Sequence, residues 1–271
     1  MENLGIIGKP SDWLIASTVD YKNVKKVFNI NLVDITIDEL IDIYQTKDGK
    51  VPEELLKTGF NIKELEKAYH IYEALKEIIT KYELNGLTIR CFDLLGTIKS
   101  TSCLAFAMLN KEGIISACEG DVPALLSMYL VKKYLDKDSF QANPSKIDIQ
   151  GNDILFAHCT LPLSMCNSFK LTTHYESGIG IGIKGELDTK EVTIFKINKD
   201  LNKYVMLKGK IIENLSLNNL CRTQIRIRLD DSSSVRYFLL TPLGNHHIIF
   251  YGTNTKELED YLNKCEMLQI K

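Results

Sequence analysis

The feature that most restricts the fold is a change of pattern near Asn143-Pro144. Before it, apolar runs of strand length alternate with amphipathic helical periods; after it, short β-branched runs follow one another with turns and no helical period until the last segment. The first pattern predicts a parallel sheet layered by helices. The second predicts an antiparallel sandwich or barrel. The expected class is therefore α/β plus β: an α/β domain over residues 1–143, then an antiparallel β-rich C-terminal domain, sandwich or barrel, over residues 144–271. No repeat or low-complexity tether separates them, so the junction reads as packed, and such junctions are common places for ligand sites.

Within the first half, Leu4-Gly5-Ile6-Ile7-Gly8 reads as a strand, and Ser11 or Asp12 as the cap of a helix through Trp13-Leu14-Ile15. Strands are also expected at 31–35, 87–92 and 113–118, and helices from Asp38, over 62–82, over 102–109 and over 122–135 behind Asp121. In the helix expected over 62–82 Leu65, Tyr69, Tyr72, Leu75, Ile79 and Tyr82 recur at three or four, which predicts the core-facing stripe. The second half is expected to hold strands at 154–160, 169–174, 179–184, 192–197, 204–212, 223–229 and 235–240, closed by a helix over 256–267.

Thirty-three Lys and Arg against 35 Asp and Glu leave a net charge of −2, too little for a field that holds a nucleic-acid backbone or an anionic membrane. The longest apolar stretch, 125–131, is too short to cross a bilayer, and Met1-Glu2-Asn3-Leu4-Gly5 lacks the charged and apolar regions of a signal. A cytoplasmic protein without nucleic-acid or membrane partners is expected. Seven cysteines without a Cys-x-x-Cys pair argue against thiolate zinc and thioredoxin chemistry, and Cys118 and Cys159, set in apolar runs, read as small buried hydrophobes.

Chemistry concentrates in a few places. Ala117-Cys118-Glu119-Gly120-Asp121 follows a strand and precedes a helix, and carboxylates at the carboxyl end of a parallel strand face the ligand crevice of open α/β sheets. Asp121 has an ordinary role as helix cap, with Pro123 in the first turn; Glu119 has none. His158 ends an apolar run, where a histidine is most often a satisfied core residue. His246 and His247 are adjacent on a strand and so point to opposite faces; only one can address a given site. His174 and Glu176 lead into a glycine run that would let backbone approach a ligand closely, and Asp93 lies just past a strand end. A glutamate with imidazoles and amide or carboxylate oxygens suits Mn²⁺ or another divalent first-row cation.

In this order the motifs resemble the C-terminal two-thirds of the L-fucose and L-arabinose isomerase superfamily. Gly113-Ile114-Ile115-Ser116-Ala117-Cys118-Glu119-Gly120-Asp121 is similar to the strand that ends in that family's manganese-binding Glu, and Ser139-Phe140-Gln141-Ala142-Asn143 falls where the family has a second metal-binding carboxylate. Gly151 to His158 resembles a segment ending in a ligand His, and Gly244-Asn245-His246-His247 the last ligand motif. The resemblance implies a parallel α/β sheet domain followed by an antiparallel β-barrel-like C-terminal domain, Glu119, Asn143, His158 and His246 as metal ligands, a small-molecule sugar substrate, a homo-oligomer, and a fucose isomerase-like chain that starts after the family's N-terminal domain. Aldose–ketose isomerisation through an enediolate is then the expected activity, with Glu119 as ligand and proton shuttle and His174, Glu176 or Asp93 as second acid/base. Asn143 stands where the family has a carboxylate, and an amide cannot act as a base, so a non-catalytic carbohydrate- or metabolite-binding relative is the alternative.

Overall fold

The computed structural model describes residues 1–270. Four parallel strands, β1 (Glu2–Ile7), β2 (Ile30–Ile35), β3 (Leu84–Ile89) and β4 (Ile115–Ala117), lie in the order β2-β1-β3-β4. Their crossovers carry α1 (Tyr21–Phe28), then α2 (Ile37–Gln45), α3 (Glu53–Leu56) and α4 (Ile62–Lys81), then α5 (Asp93–Thr97) and α6 (Cys103–Lys111), and α7 (Val122–Leu135) follows β4. Helices α4 and α6 cover one face of the sheet. On the other face α1 and α7 pack, and α7 is also the layer against which the second half docks, through Phe195, Ile197, Ile248 and Phe250.

The second half is an antiparallel barrel. Its strands are β5 (Phe140–Asp148), β6 (Asp153–His158), β9 (Glu191–Ile197), β10 (Lys203–Asn214), β11 (Thr223–Leu229) and β12 (His247–Tyr251), in the order β11-β6-β5-β12-β9-β10, and pairing of β10 with β11 closes the ring. The hairpin β7 (Ser168–Thr172) and β8 (Gly182–Glu186) stands beside it, and α8 (Tyr237–Leu240), α9 (Lys256–Lys264) and β13 (Leu268–Ile270) complete the described chain. Alternate residues such as Ala142, Phe156, Ile194, Ile225 and Ile249 fill the barrel, as the two-residue period of a strand requires. Pro144 sits at the β-bulge of β5, one of the few places a proline fits within a sheet. No helix among the described residues is long and apolar enough to cross a membrane.

Four expectations are corrected. Residues 13–15 form turns and bends, and the first helix is capped by Asp20 instead. The buried stripe of α4 is Leu65, Ala68, Ile71, Leu75 and Ile78, rotated away from the tyrosines, which lie on its flank. Residues 235–240 are not a strand but a 3₁₀ turn and α8, which place Tyr237 and Phe238 against His247. The barrel strand β5 begins at Phe140, ahead of the change of pattern.

Candidate metal centre

The turn after β4 is built to present Glu119. Glu119 and Gly120 take left-handed φ values of 61° and 60° in succession, a conformation that costs a non-glycine residue about 1 kcal/mol or more and persists only where surroundings impose it. Here they do. The Gln141 amide clamps the backbone of Cys118, accepting from its N–H at 2.7 Å and donating to its carbonyl at 3.2 Å, which ties the end of β4 to β5. Gly120 N–H donates to the Ile89 carbonyl at 2.8 Å, and the Ser11 hydroxyl donates to the Glu119 carbonyl. A Cβ on Gly120 would lie 2.6 Å from the Lys9 carbonyl oxygen, so the loop after β1 fits only against glycine.

Opposite Glu119, the barrel supplies two imidazoles from either side of β5, one at the end of β6 and one just before β12. Glu119 Oε1 lies 3.6 Å from His158 Nε2 and 3.5 Å from His246 Nε2, and the three donor atoms fall within 4.8 Å of one another. Both histidines are buried. Each has its other ring nitrogen engaged, His158 Nδ1 with Thr160 Oγ1 and His246 Nδ1 with Asp121 Oδ2, both at 2.9 Å. Such partners fix the tautomer that leaves Nε2 free as a ligand. His246 Nε2 is fully buried and has no hydrogen-bond partner, a costly state for a polar atom unless something binds there. One carboxylate oxygen and two imidazole nitrogens with an orphaned donor fit a divalent first-row cation.

Asn143 occupies β5 between the two histidine strands: it pairs with Ala157, the neighbour of His158, while Ala142 pairs with His247, the neighbour of His246. The two adjacent histidines do separate. His246 turns to Glu119, and His247 enters the barrel, where its Nε2 meets the Tyr237 hydroxyl at 2.9 Å.

Asp121 was legible only as a cap. It does cap α7, accepting from Ala124 N–H at 2.7 Å, but it also holds His246 and forms an ion pair with Lys196, whose Nζ is 3.0 and 3.1 Å from its two oxygens. Asp121 and Lys196 are both fully buried. Burial alone would raise the Asp121 carboxyl, but the Lys196 charge and the His246 hydrogen bond hold it below its ordinary value. Burial likewise opposes ionisation of Glu119, yet the His246 charge and the His158 hydrogen bond keep it well below the carboxylate range. His246 is pulled the other way: burial would lower it, and Glu119 and Asp121 push it up to about 9.

A cation must displace that proton. The apparent affinity of this cluster for a divalent cation is expected to rise about tenfold per pH unit up to about pH 9 and to level above it. Without metal, the same proton stabilises the fold fully below the ordinary histidine value of 6.5, and this contribution is lost as pH rises through about 9. Calorimetric titrations between pH 6 and 9.5 check both; a flat affinity profile would contradict the assignment.

The remaining candidates divide. His174 Nε2 pairs with Glu176 Oε2 at 3.0 Å, its Nδ1 meets Ser177 Oγ at 3.0 Å, and its ring packs edge-on to Phe92 at 6.0 Å. Burial tends to lower His174, but Glu176, the Cys159 sulfur and Glu119 raise it above its ordinary value, and Glu176 is drawn down to about 2 against its own burial by His174. The glycine run beside this dyad does approach something closely, but it is Thr101: a Cβ on Gly180 would lie 2.7 Å from its hydroxyl. Asp93 turns to Arg90, 3.3 Å from Nε, and lines a separate crevice. A contact not expected from sequence is Trp13, whose indole N–H donates to Glu119 Oε2 at 3.2 Å.

No protein-family model matches the chain. It is similar to a sulfoquinovose isomerase of Alkalicoccus urumqiensis, 22% identical over 284 aligned positions that cover 95% of this chain and 62% of that protein. It is also similar to a sulfoquinovose isomerase of Clostridium sp. (strain MSTE9), 23% identical over 214 positions that cover 74% of this chain and 46% of that protein. The chain therefore spans between about half and three fifths of the length of these curated relatives, and what it resembles in them is a sugar isomerase.

Proposed function

We propose that the chain forms the metal-binding part of an aldose–ketose isomerase acting through an enediolate. The observation that carries this reading is the convergence of Glu119, His158 and His246, with His246 Nε2 buried and unpartnered. Glu119, His158 and His246 would hold a divalent cation such as Mn²⁺, with the Asn143 amide oxygen as a further donor from β5. When bound, the ion would draw charge from neighbouring sugar oxygens, acidify the carbon-bound proton beside the carbonyl and stabilise the enediolate. Asp121 and Thr160 hold the two imidazoles in the ligating tautomer.

The proton must move between adjacent carbons, which requires a base of tuned strength near the ion. His174 meets that need better than Asp93. Its carboxylate partner Glu176 orients the ring, and it is close enough to feel the Glu119 charge, whereas Asp93 is engaged with Arg90. His174→Asn is expected to lower kcat about 100- to 1,000-fold while leaving Mn²⁺ affinity within a few-fold. The relatives' names make sulfoquinovose, a glucose with a sulfonate in place of the C6 hydroxyl, the first sugar to test. Metal analysis followed by an aldose panel decides: sugar binding without interconversion would favour a non-catalytic carbohydrate-binding protein.

A further inference from the structure

The sheet order β2-β1-β3-β4 has its switch point between β1 and β3, where the crossovers leave in opposite directions and a crevice opens at the strands' carboxyl ends. That crevice, about 460 Å³, is lined among others by Lys9 and Asp12 after β1, Thr36 and Asp38 after β2, and Arg90 and Asp93 after β3. It adjoins the metal centre through one side chain. Trp13 donates its indole N–H to Glu119, and the Arg90 guanidinium lies over its ring, 4.7 Å from the centroid.

Two cations line it with donors to spare. Arg90 touches Asp12 at 3.4 Å and Asp93 at 3.3 Å, longer than the 2.7–2.9 Å of a tight charge-assisted bond, and the Asp12 side chain is 78% exposed. Lys9 is exposed and has no ion-pair partner among the described residues. A guanidinium over an aromatic ring, with its Nη1 side free of the loose Asp12 and Asp93 contacts and an ammonium lining the same crevice, suits an oxyanion of three equivalent oxygens. The neighbouring carboxylates suit the hydroxyls of a sugar, as acceptors.

We infer that Arg90 and Lys9 form the subsite for a terminal anionic group of the sugar, one indole away from the Glu119, His158 and His246 cluster whose cation would hold its carbonyl end. This rests on the sugar-isomerase reading above and adds to it the residues that select a charged substrate. Trp13 then separates the two ends and fixes their spacing.

Calorimetric binding to the Mn²⁺-loaded protein, with sulfoquinovose and glucose as paired probes, tests the subsite without requiring turnover. Wild type is expected to bind the sulfonated sugar more tightly, with an advantage that shrinks as salt is added. Arg90→Gln should weaken sulfoquinovose at least about 30-fold more than glucose, and Lys9→Gln about fivefold more, on the usual strength of charge-assisted contacts. Arg90→Lys should fall between wild type and Arg90→Gln, since it keeps the charge and loses the fork. Equal losses for both sugars, or no preference in wild type, would overturn the subsite. Lys9 is exposed, so its variant decides the matter even if Arg90→Gln does not fold. Selective binding without interconversion would leave the subsite standing and remove the isomerase reading.

Discussion

Replacing Glu119 by Gln is expected to abolish metal-dependent turnover, by at least about a thousandfold, and to weaken Mn²⁺ binding, because several kcal/mol of charge stabilisation at the ion depend on that carboxylate. The amide keeps the shape and can still accept from the Trp13 indole, so the turn clamped by Gln141 and Gly120 should survive. What is lost is the single negative charge facing two buried imidazoles. That charge is also a cause of the raised His246, so the variant should show a smaller rise of residual metal affinity with pH. Calorimetry with Mn²⁺ and a stopped sugar assay measure both effects. Full activity with unchanged metal affinity would reject the centre as assigned.

Glu119 could be found from sequence because a positional rule covers it: a carboxylate at the end of a parallel strand, without a cap to make, faces the crevice. The same logic half-failed at Asp121, where a sufficient local explanation hid a second, longer-range one. Strand alternation established that only one of His246 and His247 could join the site, but not which, since that depends on how the barrel packs on α7. Trp13 was misplaced on a helix because a polar cap before three apolar residues satisfies the helical pattern; Glu119, Phe92 and Arg90 instead hold it in a loop. Residues 235–240 are a short apolar run of the kind that period alone cannot assign, and they close the barrel end over His247 as a helix. Turn spacing made an antiparallel sandwich or barrel legible but could not choose between them, because the closure by β10 and β11 pairs segments through register rather than through any local signal.

Lys196 had no sequence signal at all: it lies in an apolar strand, and strand membership alone says nothing of a buried charge. Lys196→Met is expected to destabilise the protein by about 3–5 kcal/mol, the usual cost of removing one member of a buried ion pair. The stem should be tolerated, since Met fills similar volume beside Gly244, whose Cβ position lies 3.2 Å from Lys196 Cε. The cost comes from Asp121, left ionised at zero exposure with only His246 and a backbone N–H to compensate it. Lys196→Met with Asp121→Asn should therefore recover much of the loss, because an amide still caps α7 and carries no charge to strand. It should not recover metal affinity, since an amide whose oxygen caps the helix turns its NH₂, a donor, to His246 Nδ1 in place of the accepting Oδ2. Denaturant unfolding of the two single variants and the double, with Mn²⁺ titration of each, separates the two effects. A Lys196→Met protein within 1 kcal/mol of wild type, a limit set by the ordinary range of tolerated substitutions, would mean that Asp121 draws its compensation from elsewhere.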